Sequence, residues 1–560
     1  MATVRMGFRE ASSWLAEIVG PDTRYVTIGI IYTIAISLLS LATPISVQLL
    51  INSVARTALP APLWTLSGVL FLLLLLLAVL SALRVYLMAM FERRVFARIV
   101  AEITLRAVHA QNPFFADERG GALFNRYFDL TIIQKAVPNL VIGAFTIVLQ
   151  TAVGLAVTSF YHPFFLAFNV ILVAVCLFVW LVWRRGAITA AVALSHAKHD
   201  TAQWLESVGA SNGFYKSHRH LNFAMDRSEE ATARYVRTHE RFFRYSFAQT
   251  LSFFFIYAFA SAALLALGGS LILQGELSIG QLVAAELILS GVFYGIYQLG
   301  YYLDTFYEMV ASSEELSLLF SIPQENITVT GTAPRDGSVR LRDLEIQGTR
   351  LNFSLASGEQ VVSVIEPGVG RLIARALKRH AQPTRGLVSV GGSELGSFDM
   401  YLLRSAVTVL DRPTIVEVTI REYLALADPE MAGEQMMRAL DQVGLSERIA
   451  GLPNGLDTQL ASSGAPLTIA EVMELKLANA LISRPKVLVL SELFDMMPTA
   501  ILKSALTLLK EADTTVLVFT ERPEALEADG WMWIGHREQR RFSSHQQLAE
   551  YLQTRVQHLA

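Results

Sequence analysis

Cysteine is nearly absent: Cys176, inside an apolar run, is the one such residue in 560. A single thiol excludes an intrachain disulfide and a zinc centre built on clustered cysteines, and no metal ligand set is expected. Charge is scarce as well, at 17% of residues with a net of −3. No basic patch stands out, which argues against a nucleic-acid partner. No cleavable leader is expected from the first residues either. Met1–Gly20 carries Arg5, Arg9 and Glu10 without an apolar core, so it reads as an amphipathic helix at a membrane surface. What stands in place of charge is apolar surface: 53% hydrophobic residues and a mean hydropathy of +0.42. A soluble protein of this size is not so apolar, and the composition points to an integral membrane protein of two or three domains.

Six long apolar segments follow, at 26–52, 64–92, 136–159, 163–183, 247–273 and 279–307, each near or above the ~20 residues that span a bilayer. Three connections are short and poor in Lys and Arg. The other two are long and basic, with Arg93, Arg94, Arg98, Arg106, Arg119 and Arg126 in the first, and Lys198, Lys216, Arg219, Arg227, Arg234 and Arg237 in the second. The positive-inside rule then puts the long loops and both termini in the cytoplasm, with a bacterial inner membrane as the default. Arg84 is the clearest intramembrane charge; it either pairs or snorkels, or faces a cavity. Tyr294, Tyr297, Tyr301 and Phe306, with Gln298 beside them, recur at near-helical spacing. Such a stripe either packs between helices or lines a substrate path.

After Ile322-Pro323 the composition turns polar. A Thr-, Gly- and Pro-containing linker at 323–337 separates the membrane domain, 1–322, from a mixed α/β domain with parallel strands, 338–560. In that domain an apolar strand, Val361–Ile365, enters a tight loop with Gly368 and Gly370 and then a basic helix. This is the outline of a phosphate-binding P-loop. Aligned on Gly370, the loop has Ile365 for the first glycine, Arg371 for the lysine and Leu372 for the Ser/Thr whose hydroxyl would hold Mg²⁺. Glu366 adds a negative charge, and Pro367 removes an N–H from the anion cradle. Arg371 either forks an anion or pairs with a local acid such as Glu366.

Pro113-Phe-Phe-Ala-Asp-Glu-Arg-Gly-Gly-Ala-Leu-Phe-Asn-Arg126, with Phe114, Phe115 and Arg119, and Leu205-Glu-Ser-Val-Gly-Ala-Ser-Asn-Gly-Phe-Tyr-Lys216, with Glu206 and Lys216, resemble the two intracellular coupling loops of ABC exporters. Gly275–Val283 is similar to the start of span six in the type I secretion and bacteriocin branch. Pro383–Gly392, Leu452–Thr458 and Leu481–Leu490 resemble scaffold segments of the family's ATPase domain. The resemblance implies a six-span ABC exporter transmembrane domain followed by a P-loop-NTPase-like ABC ATPase domain. It also implies that the catalytic positions are altered. Asp411 stands at the Q-loop glutamine. Leu467, Thr468, Ile469, Ala470 and Glu471 replace the L-S-G-G-Q signature. Ser491 replaces the Walker B aspartate, while the following Glu492 is kept. Glu521 replaces the switch histidine.

Family members work as dimers with composite ATP sites, so the resemblance implies a homodimer, or a heterodimer with another half-transporter, alone or within a larger membrane complex. Little or no hydrolysis is expected, with the Mg²⁺ site lost, no cofactor, and at most weak ATP binding. If Glu366, Asp411 and Glu521 converge as the family fold implies, they repel the nucleotide. Two readings stand: a catalytically impaired subunit acting in export, or a homodimeric pseudo-ABC scaffold or regulator without an ATP-driven cycle. A divergent but active exporter ranks behind both. Because the first span starts near residue 26, any peptide processing of the secretion type is expected elsewhere.

Overall fold

The computed structural model describes residues 16, 20–57, 61–111, 122–326 and 331–559. The chain forms two compact units, Met1–Gln324 and Glu325–Ala560.

The first unit is helical, with six helices long and apolar enough to cross a membrane: Gly20–Ile51, Leu63–Val108, Phe124–Ser159, Pro163–Ala210, His218–Leu273 and Ile279–Phe320. They are called spans one to six here. All six expected segments are present, and spans two, four and five run well past their apolar stretches. Span one breaks at Ser40–Leu41, where Pro44 has no N–H to return to the carbonyl of Ser40. Span three carries Pro138 inside its first helical segment and follows it with a π-turn at Leu140–Ala144, a local rewinding of the kind a proline forces. Ser278 and Gln281 close a capping box at the start of span six.

Polar side chains tie the spans together. Arg84 is buried in span two and donates from Nη1 to the hydroxyls of Thr33 in span one, 3.2 Å, and Thr146 in span three, 2.7 Å. It therefore bridges three helices through Nη1, held by two neutral hydroxyls, while its buried Nε has no hydrogen-bond partner among the described residues. Farther along, buried Asp129 of span three accepts from Lys198 Nζ at 2.7 Å and Ser312 Oγ at 3.3 Å, and contacts His199. Close by, Arg126 Nε meets the fully buried carboxylate of Glu315 at 2.5 Å, with His196 Nε2 3.7 Å from its other oxygen. Spans three, four and six are thus joined by buried charge.

The second unit has two sheets. Strands β1 (Val339–Ile346), β2 (Thr349–Leu355), β4 (Arg385–Val390) and β5 (Ser393–Glu394) form an antiparallel sheet in the order β2-β1-β4-β5. The alternation of β2, with Thr349, Leu351, Phe353 and Leu355 buried, is that of a sheet with one face covered. Strands β3 (Gln360–Ile365), β6 (Val407–Leu410), β7 (Val487–Leu490), β8 (Thr515–Phe519), β9 (Gly530–Ile534) and β10 (Gln539–Phe542) form the second sheet, in the order β10-β9-β3-β8-β7-β6. All its pairings are parallel except β9 with β10. Strands β7 and β8 are buried along their whole length, as expected for parallel strands covered on both faces.

Candidate nucleotide site

In an open parallel sheet a ligand crevice forms beyond the carboxyl ends of the strands. A cavity of about 320 Å³ lies there. Ile365 closes β3, Asp411 follows β6, Ser491 and Glu492 follow β7, and Phe519 closes β8; Gly368, Gly370 and Arg371 complete the wall. Gly368 caps the helix Val369–Leu377 with φ +87°, a backbone conformation that favours glycine. At Gly370 a Cβ would stand 2.8 Å from Ile365 Cδ1 and 3.1 Å from Phe519 Cε2, so two apolar side chains press on the loop.

The site residues expected from the sequence separate into groups. Gly368, Gly370, Arg371, Asp411, Ser491 and Glu492 share the cavity. Leu372 does not reach it; the side chain is buried in the apolar core beneath the loop. Ser491 is 8% exposed and its Oγ has no hydrogen-bond partner among the described residues.

The expected convergence of three acids is corrected, since only Asp411 joins the cavity. Glu366 accepts the N–H of His536 at 2.7 Å and pairs with Arg555 at 2.7 Å. That arginine comes from the helix His545–Leu559, where its guanidinium also lies 4.7 Å from the Trp533 ring centroid. The expected Arg371–Glu366 pair is therefore not formed. Arg371 is exposed and has no ion-pair partner among the described residues. Glu521 lines no part of the cavity; its N–H donates to Asp495 Oδ2 at 2.9 Å, while the Thr520 hydroxyl holds Oδ1 at 2.5 Å and Arg522 donates to the Asp495 carbonyl.

Nor is Asp411 an isolated repelling charge. Arg412 Nε is 4.0 Å from it, and its field raises the pKa of both Lys378 and Lys476 against the burial that lowers them. Sequence reading missed Phe519, Asp495 and Arg555. The last two act through partners far away in the chain and leave no local signal.

Leu467–Glu471 forms the start of the helix Ile469–Ser483 and lies outside the cavity wall. Thr468 and Glu471 make a reciprocal capping box, the Thr468 N–H donating to Glu471 Oε2 at 2.7 Å, while Arg448 holds Oε1 at 2.9 Å. Burial works to raise the Glu471 carboxyl, but the Thr468 bonds and Arg448 outweigh it and keep it below the usual range. Ile469 is 51% exposed beside them, and Leu467 is buried.

One turn on, Glu474 is buried without an ion-pair or hydrogen-bond partner among the described residues. Burial, and then the charge of Glu471, push its carboxyl from 4.5 up to about 7. A folded-state pKa above the unfolded one means the folded chain binds the extra proton. That contribution is complete below about pH 4.5 and is lost as pH rises through about 7. Glu474→Gln is therefore expected to stabilise the second unit by roughly 2 kcal/mol at pH 8, the ~3 kcal/mol of the full shift reduced for solvent screening, and by less than ~1 kcal/mol at pH 5. Thermal unfolding of the full chain across that range measures it; equal shifts at both pH values would refute it.

In the first unit, Glu206 accepts from Asn125 Nδ2 at 2.7 Å, linking the two long loops, and Lys216 ends a 3₁₀ turn at Phe214–Lys216. Phe114, Phe115 and Arg119 lie outside the described residues, as does most of the expected surface helix at Met1–Gly20. Tyr294, Tyr297 and Tyr301 are exposed along span six, yet two of them touch other spans: the Tyr301 hydroxyl accepts from Asn139 of span three at 3.0 Å, and Tyr297 meets span five. Tyr297 stacks on Phe254 with 4.5 Å between centroids, and Gln298 donates to the Tyr294 hydroxyl at 2.9 Å.

A family model described as the ABC transporter transmembrane region matches residues 26–297. Leukotoxin export ATP-binding protein LtxB of Aggregatibacter actinomycetemcomitans is 27% identical over 237 residues, 40% of this chain and 34% of that protein. Leukotoxin translocation ATP-binding protein LktB of Mannheimia haemolytica is 23% identical over 479 residues, 83% of this chain and 67% of that one. The chain thus spans about a third of the length of the first curated relatives it matches. Among solved structures, a bacterial Atm1-family ABC exporter with ATP bound superposes with a TM-score of 0.76 at 18% identity, covering 96% of this chain and 98% of that one.

Proposed function

Because the chain is a membrane protein of the ABC exporter family, we propose that it is a catalytically impaired exporter subunit acting in a dimer or a larger complex. The basic long loops support an orientation with the second unit in the cytoplasm. The observation that supports this reading most is the placement of the two residues aligned with the family's Mg²⁺ ligands. Leu372 is turned into the core, and Ser491 offers a neutral hydroxyl where the family has a carboxylate. Hard cations require oxygen donors, usually charged ones, so these residues do not fit the metal. Phosphoryl transfer rests on positioning and on neutralising the charge that develops on the phosphate oxygens. Arg371 can still hold an anion as a fork, while Asp411 and Glu492 in the same wall weaken its hold. The names of the toxin-exporting relatives support export as the process.

The second reading, a pseudo-ABC scaffold, is favoured by one observation. The loop and the switch segment take internal partners, Arg555 on Glu366 and Asp495 on Thr520 and Glu521, where a ligand would otherwise hold them.

Displacement of a fluorescent ATP analogue from the full chain in nanodiscs tests the proposal. ATP is expected to bind in the roughly millimolar range or weaker, equally with magnesium or with a chelator, and several-fold more weakly after Arg371→Ala. Micromolar affinity that requires magnesium would sink the reading.

A further inference from the structure

A second cavity, of about 550 Å³, lies in the membrane unit, walled by spans four and five. Span five contributes Arg237, Arg241 and Arg244, with Trp183 of span four and Tyr245 beside them. Spacings of three and four place the arginines on one helix face. The two rings lie 6.3 Å apart. Gly186 gives Tyr245 its seat, since a Cβ there would come within 2.5 Å of the ring. Arg227 and Arg234, on the same helix, are paired with Glu230 and Asp200. The three arginines of the cavity have no ion-pair partner among the described residues, and the one acid in the wall is Glu240.

The depth of this cavity follows from the sequence. No charged residue occurs in 163–183 or in 245–273. The first of these stretches, at ~1.5 Å per residue, is about as long as the hydrocarbon core of a bilayer is thick. Trp183, Arg184 and Arg185 end one stretch, and Arg244 with Tyr245 begins the other. Aromatic rings and basic groups at such ends mark the headgroup level. Exposed Leu181 and Phe247 adjoin the site on its apolar side.

We propose that this cavity binds the headgroup of an anionic membrane phospholipid, with the guanidiniums forked on its phosphate and its acyl chains lying along the apolar ends of spans four and five. Three cations against one acid leave an excess positive charge that a zwitterionic headgroup does not neutralise. Which leaflet supplies the lipid rests on the orientation proposed above; the binding itself does not.

The test uses the full chain in neutral detergent without nucleotide, titrated with dioctanoyl phosphatidylglycerol, dioctanoyl phosphatidylcholine or inorganic phosphate, with occupancy read by native mass spectrometry. Phosphatidylglycerol is expected to bind at least ~10-fold more tightly than phosphatidylcholine. The combined Arg237→Gln, Arg241→Gln, Arg244→Gln variant loses roughly 100-fold for phosphatidylglycerol. The matching triple Lys variant retains the preference, and Arg227→Gln leaves it unchanged. Equal binding of the two lipids, a preference that survives the triple Gln variant, or displacement by inorganic phosphate at the same concentration would each overturn the proposal. Since no nucleotide is present, failure here is distinct from failure of the impaired-subunit reading.

Discussion

Reconstituted in lipid nanodiscs, the chain is expected to turn over Mg-ATP below ~10⁻² per second, some 10³-fold under a typical enzyme turnover of ~10 per second. Loss of one group that stabilises developing phosphate charge already costs ~10²–10³ in rate. Under the proposed reading, Leu372, Ser491 and Glu521 stand in place of three such groups, and Leu372 and Glu521 lie outside the cavity wall. Leu372 lies in the core, and Glu521 is tethered to Asp495 through its backbone. These losses do not multiply, because groups that act as one unit are not additive. The floor is therefore set by whatever Arg371 and the loop backbone still position. Glu492 is exposed in the cavity wall beside the neutral hydroxyl of Ser491. Glu492→Gln should thus leave the residual rate within about twofold, whereas a general base normally contributes ~10²–10⁴. Turnover near one per second that Glu492→Gln abolishes would restore an ordinary ATP-driven exporter.

In the membrane unit, Arg126→Ala is expected to cost about 3–5 kcal/mol, because it strands the fully buried carboxylate of Glu315. The remaining neighbour, His196, lies 3.7 Å from Oε1 and also reaches Glu314 at 3.3 Å, so it cannot replace a direct guanidinium contact. Arg126 is itself only 20% exposed at its side chain, which limits what water can do for the pair. Removing both charges tells a different story. Arg126→Leu with Glu315→Leu should recover most of the loss, since a buried pair exchanged for apolar packing is often neutral. A double-mutant cycle from thermal unfolding in detergent gives the coupling directly. A loss under about 1 kcal/mol for Arg126→Ala would mean that Glu315 has another partner and that the pair is incidental.

The spans and the strand–loop–helix of the second unit were legible because length and apolar pattern report them within one window. Val361–Ile365, Val487–Leu490 and Thr515–Phe519 are apolar because both faces of a parallel sheet are covered. Charge partners were not legible. Glu366 finds Arg555 and Arg126 finds Glu315 across 189 residues in each case, and Arg84 Nη1 is held by two hydroxyls that no periodicity marks. One local signal was present but passed over. Thr468-Ile-Ala-Glu471 has the form of a capping box, and reading it only as a damaged signature hid what it does for its own helix. Asp411 looked like a repelling charge because Lys378 and Lys476, whose fields it shares, come from other helices.

The strand order of the larger sheet has a consequence for how the protein is made. Strand β3 leaves the ribosome long before its two neighbours, β8 and β9, which begin at Thr515 and Gly530. At ~5–20 residues per second, the loop after β3 waits on the order of ten seconds with no strand on either side. Its acid, Glu366, waits longer still for Arg555 in the last helix. Strand β3 therefore stays apolar and unpaired for most of the synthesis of the second unit, while the smaller sheet, β2-β1-β4-β5, already has all its strands. Occupation of that strand by a chaperone during translation would suit this chain more than one whose central strand is emitted late.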